Sequence, residues 1–110
     1  MAEIKKINSL EEYDEFVSTP NSLNVIKIGA VWCGPCRMLE RTIRELTPNE
    51  VEGVLLAEVD ADEEWFEDKA VEMSIRGIPV LIAYKDGEEK ERLVGAIQKP
   101  GLLDFFGRNK

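Results

Sequence analysis

A chain of 110 residues, 44% of them hydrophobic, is long enough to bury a core of its own and fits a single domain, 1–110. Its 22 acidic and 14 basic residues leave a net charge of -8, which repels phosphate backbones and anionic membrane surfaces and argues against direct nucleic-acid binding. No stretch approaches the roughly 20 apolar residues of a membrane-spanning helix, and Met1 to Ile7 holds no apolar signal segment, so a cytoplasmic protein without a membrane role is expected.

Glu3 to Ile7 reads as an edge strand, and Ser9-Leu10-Glu11-Glu12 has the form of a capping box opening a helix with Leu10, Tyr13 and Val17 as its buried stripe. Thr19-Pro20-Asn21-Ser22 is a turn. Leu23 to Val31 is then an almost continuous apolar run, as in a parallel strand covered on both faces, with Lys27 as its interruption. From Pro35 the period changes to that of a helix: Met38, Leu39, Thr42, Ile43 and Leu46 share a face, and Thr47-Pro48-Asn49 ends it.

Val54 to Val59 is a second buried strand. The acidic stretch Asp60 to Glu64 suits the first turn of a helix carrying Phe66, Ala70 and Met73, so a right-handed parallel crossover is expected. Val80 to Tyr84 and Lys90 to Val94 flank Asp86-Gly87, a hairpin signal, and Pro100 suits the start of a last helix bearing Leu102, Phe105 and Phe106. The expected class is α/β in the order βαβαββα, a central mixed sheet with helices on both faces.

Chemistry concentrates at Trp32-Cys33-Gly34-Pro35-Cys36, where the strand hands over to the helix. That junction exposes the first cysteine and places the second one turn inside. Pro35 is tolerated in the first turn, where free amides and the positive dipole end face the Cys33 sulfur and stabilise its thiolate. Cys33 is therefore the expected nucleophile, and Cys36 the resolving thiol that attacks the mixed disulfide between Cys33 and a substrate. A structural staple would normally close a long loop, and this pair closes almost nothing. With two cysteines and no histidine, a zinc site within one chain is set aside.

Those five residues match the thioredoxin motif, and the chain resembles that family through Gly77-Ile78-Pro79 followed by a strand and through Val94-Gly95-Ala96. The resemblance implies a thioredoxin fold with a cis bond before Pro79. It implies a substrate surface of Trp32, Gly34, Pro35, Ile78, Pro79, Val94, Gly95 and Ala96, although Val94 and Ala96 also read as core. It implies no bound cofactor beyond the Cys33–Cys36 disulfide, electrons from a thioredoxin reductase or equivalent donor, and disulfide-containing protein substrates met by a monomer.

The chain also departs from the family. Thioredoxins usually carry a buried aspartate six residues before the first cysteine and a lysine in the neighbouring strand; here those positions hold Lys27 and Glu58, a swapped charge pair. Burying either alone is costlier than burying both together, so a Lys27–Glu58 pair is expected, with either the neutral lysine or the glutamate taking the Cys36 proton. Gly29 stands where many relatives have a second tryptophan. The expected function is reduction of protein disulfides. A non-catalytic binding subunit or folding helper is the alternative.

Overall fold

Every residue of Leu23–Gly29 is buried, and the sheet is built around this strand. The computed structural model describes residues 2–110. Its elements are β1 (Lys5–Lys6), α1 (Leu10–Val17), β2 (Leu23–Gly29), α2 (Gly34–Arg44), β3 (Val54–Asp60), a 3-10 turn (Glu64–Phe66) leading into α3 (Glu67–Glu72), β4 (Val80–Lys85), β5 (Glu88–Val94) and α4 (Lys99–Asn109). The order βαβαββα describes β2 to α4. The whole chain has one βα unit more, because β1 and α1 precede it.

The strands lie in the order β1-β3-β2-β4-β5. β1 and β2 are parallel to β3, while β4 runs antiparallel to β2 and to β5. The sheet is therefore mixed. Alternation along β2 divides the core: Leu23 and Val25 pack with Leu39, Ile43, Leu102 and Phe106 of α2 and α4, whereas Ile26 and Ile28 pack with Tyr13, Phe16 and Phe66 on the opposite face. Each such side chain, taken fully out of water, contributes about 1.5–3 kcal/mol.

The local signals act as expected at the helix ends and the hairpin. Ser9 Oγ accepts the Glu12 amide at 3.1 Å, while the Glu12 carboxylate accepts from Asn8 N at 2.6 Å instead of from Ser9. Asp86 and Gly87 take φ of 53° and 81°, the pair of positive values a tight hairpin requires. Two expectations fail by exposure. Leu10 and Met38 are 43% and 60% exposed, because the faces of α1 and α2 that meet the sheet are formed by Tyr13, Phe16 and Val17 and by Cys36, Leu39 and Ile43. β2 also ends two residues before Val31, which is exposed.

Both outer strands carry charge. β1 is a two-residue exposed strand, Lys5-Lys6, and β5 begins Glu88-Glu89-Lys90-Glu91-Arg92.

Candidate active site

Cys33 is the N-cap of α2, with φ -90° and ψ 109°, extended backbone that turns the chain from β2 into the helix. Its Sγ accepts the Cys36 amide at 3.2 Å, the use of a free first-turn N–H that the motif predicts. Gly34 and Pro35 form the first helical positions, and one turn brings Cys36 back beneath Cys33, with the two Cα atoms 5.2 Å apart and the sulfurs joined in a disulfide. The structure is thus the oxidised state. Cys33 is 5% exposed and Cys36 2%, so the expected exposure of the first cysteine is not seen: in the disulfide both pack with Ala30 and against Ile78.

The loop leading into β4 completes the rim. The Ile78–Pro79 bond is cis. Gly95, at φ 107°, donates its N–H to Pro79 O at 2.8 Å, so the turn after β5 is tied to the proline loop. Val94 is 67% exposed and Ala96 exposed, which removes core packing as their role. Trp32, also 67% exposed, is held by its Nε1–H donating to Asp62 Oδ2 at 2.7 Å. Asp62 had no mark in the sequence beyond its place in an acidic run.

Beneath Cys36, the same alternation that buries Leu23 and Val25 turns Lys27 and Gly29 toward α2. Lys27 pairs in register with Glu58 of β3, and its Nζ lies 3.5 Å from Glu58 Oε2, so the swapped pair forms. A shorter contact went unread in the sequence: Lys27 Nζ donates to Glu40 Oε1 at 3.0 Å. Glu40 sits one turn after Cys36 on α2 and also accepts from Arg44 Nε at 3.4 Å. The Lys27 bond holds the Glu40 carboxyl below its ordinary value, against the opposing effect of its partial burial. Cys36, Gly29, Lys27, Glu40 and Glu58 line one cavity of about 290 Å³. Among the described residues, no group of three or more His, Cys, Asp or Glu side chains is placed to hold a metal ion.

The comparisons agree with this geometry. The thioredoxin family model matches residues 4–108. The chain is 37% identical over 104 residues to the thioredoxin of Chlamydia caviae, covering 94% of this chain and 97% of that one. It is 35% identical over 98 residues to the chloroplastic M-type thioredoxin of Triticum aestivum, covering 89% of this chain and 55% of that one. Its fold superposes on the structure of Fasciola hepatica thioredoxin with a TM-score of 0.84 at 28% identity, covering 97% of this chain and 100% of that one.

Thioredoxins work through their own redox-active disulfide, without a metal or prosthetic group, and a role that leaves the thiols idle is not favoured for a chain that keeps the pair at the helix cap. The chain belongs to the thioredoxin family, and it is a thiol-disulfide oxidoreductase that reduces protein disulfides through Cys33 and Cys36.

Proposed function

We propose that this protein acts in the cytoplasm as a single-domain monomer, taking electrons from a thioredoxin reductase or equivalent donor and passing them to disulfides in protein substrates. The observation that carries the reading is the cap geometry, in which Cys33 Sγ receives the Cys36 amide at 3.2 Å at the start of α2. In the reduced protein the same amide and dipole favour the Cys33 thiolate, the attacking form. The thiolate attacks one sulfur of the substrate disulfide, forming a mixed disulfide and expelling the other sulfur as a thiolate. Cys36 then gives up its proton and attacks Cys33 Sγ. The Cys33–substrate bond breaks, the substrate sulfur leaves with the electron pair and takes a proton, and the Cys33–Cys36 disulfide remains.

An extended substrate segment would lie along Ile78 and Pro79, against Trp32, Gly34, Pro35, Val94, Gly95 and Ala96. The exposure of Trp32 and Val94, and the tie between Gly95 and the proline loop, support that surface. Lys27 and Glu58, which line the cavity under Cys36, form the ion pair that takes up the Cys36 proton in the second step. Their shared cavity with the resolving thiol supports this role.

The test is turnover of a generic protein disulfide with a dithiol as electron donor. Cys33→Ser is expected to abolish it, and Cys36→Ser to accumulate a covalent Cys33–substrate adduct detectable by mass. A Cys33→Ser, Cys36→Ser protein that keeps its activity in cells would instead favour the binding-subunit reading.

A further inference from the structure

The cluster below Cys36 holds one ammonium and two carboxylates, and the two carboxylates are not equivalent. Resting on the reading of this cluster as acceptor of the Cys36 proton, we propose that Glu40 is a positioning residue that holds the Lys27 ammonium, which leaves Glu58 as the base.

Lys27 is 8% exposed along its side chain and stands 3.0 Å from Glu40 Oε1 and 3.5 Å from Glu58 Oε2. The ammonium is thus ion-paired to two carboxylates, and as a paired cation Lys27 has no lone pair to offer a thiol. Glu40 is committed twice, to Lys27 and, at 3.4 Å, to Arg44, and protonating it would weaken both contacts. Glu58 shares one cation at the longer distance.

The other charged groups facing the cavity are otherwise engaged or face outward. Lys6 of β1 stands in register beside Glu58 with its Nζ 3.7 Å from Glu63, Arg37 of α2 donates to Val31 O at 2.6 Å, and Asp60 at the end of β3 accepts the Asp62 amide at 2.9 Å. Glu40 is shared between Lys27 and Arg44, which leaves Glu58 as the carboxylate of the cluster with the looser hold on Lys27.

The step balances as follows. The Cys36 S–H proton passes to a Glu58 carboxylate oxygen, directly or through water in the cavity, which is far larger than one water requires. The electron pair left on Cys36 Sγ attacks Cys33 Sγ, and the Cys33–substrate bond breaks with its electron pair leaving on the substrate sulfur. When a donor later reduces the protein, Glu58 returns the proton to Cys36. Glu40 touches no reacting atom. Its role is to hold the Lys27 ammonium in place beside Glu58.

The experiment mixes reduced full-length protein with a symmetrical nitrothiobenzoate disulfide, so that the first thiolate released reports Cys33 attack and the second reports Cys36. The second phase is followed across the acid and neutral range. Glu58→Gln is expected to slow it about a hundredfold and to remove its acid limb. Glu40→Gln is expected to keep the limb but move it to lower pH with a slower plateau, because Lys27 then rests on Glu58 alone. Lys27→Gln is expected to move the limb to higher pH, because Glu58 then loses its ion-pair partner and keeps the Glu40 charge nearby.

Opposite displacements in two variants of one cluster do not arise from general loosening, and thermal midpoints identify any variant that fails to fold. If Glu58→Gln removes the limb and Glu40→Gln leaves it in place, the role of Glu40 fails while Glu58 stands as base. If Glu40→Gln removes the limb and Glu58→Gln does not, the assignments are reversed and the proposal is wrong. If neither variant alters the limb, the cluster does not take the proton, and the acid-base reading fails with it.

Discussion

Gly29 of β2 and Cys36 of α2 meet so closely that a methyl group on Gly29 would stand 3.0 Å from Cys36 Sγ and 3.1 Å from Cys36 Cβ. The glycine is there for its missing side chain, since its φ lies outside the left-handed region. The place filled by a second tryptophan in many relatives is here part of the wall of a cavity that reaches the resolving sulfur.

Gly29→Ala is expected to destabilise the oxidised protein by about 1–3 kcal/mol, the usual cost of overpacking, as measured by urea unfolding. Reduction frees the Cys36 side chain to rotate, so the reduced form should suffer less. The couple then becomes more oxidising, by about 30 mV for each 1.4 kcal/mol of difference. Equal losses in both forms would show that Cys36 does not bear the contact.

Lys27→Met leaves the Glu40 and Glu58 carboxylates sharing a cavity without the cation between them, and Glu40 with Arg44 alone. A loss of about 2 kcal/mol at neutral pH is expected, less than for a fully buried pair because both carboxylates reach water. The acid side carries the sharper test. In the native protein the Glu40 carboxyl is held below 4.5 by Lys27, so its contribution is present above that pH and is lost on acidification. In Lys27→Met the like charges favour protonation, so stability should rise as pH falls toward about 4.5. Parallel pH profiles for the two proteins would dismiss the cluster as an energetic unit.

Arg108 of α4 binds Glu91 of β5 through Nε at 2.8 Å and Nη2 at 2.7 Å, with Asn109 Nδ2 adding a third donor at 2.8 Å. The guanidinium, and then the Asn109 amide, push the Glu91 carboxyl down from 4.5 to about 2. A depressed carboxyl stabilises the fold above its unfolded value and loses that contribution as pH drops from 4.5 through about 2. Thermal midpoints of Glu91→Gln should therefore fall less steeply than those of the native chain across that window.

The Tyr13 and Tyr84 hydroxyls meet at 2.7 Å in the core, and Tyr13 Oη also lies 3.4 Å from Met73 Sδ. Tyr84→Phe leaves Tyr13 with a thioether as its polar neighbour, at an expected cost of about 1–2 kcal/mol. Replacing both tyrosines by phenylalanine should cost less than the sum of the single changes, a non-additivity that urea unfolding resolves.

Much of this was legible in the sequence because the signals are local. A cysteine before Gly-Pro at a strand end dictates a cap, an Asp-Gly pair dictates a hairpin, and charges six residues before Cys33 and in the adjoining strand pair by register. Glu40 was hidden because helical periodicity sets it beside Arg41, Arg44 and Glu45 as polar-face residues. Its inward contact depends on Lys27 crossing from β2 and on the space Gly29 leaves. Leu10 was misjudged for a related reason: α1 is eight residues long, and Tyr13, Phe16 and Val17 already fill the face it presents to the sheet.

The charged outer strands bear on how the molecule behaves in company. A sheet grows when a foreign strand can lay its backbone along a bare edge, and here one edge is two lysines long while the other begins with five consecutive charged side chains. A newcomer at either side must strip water from those groups before it gains a single ladder bond. The charges on its two outer strands therefore disfavour extension of the five-stranded sheet along those strands.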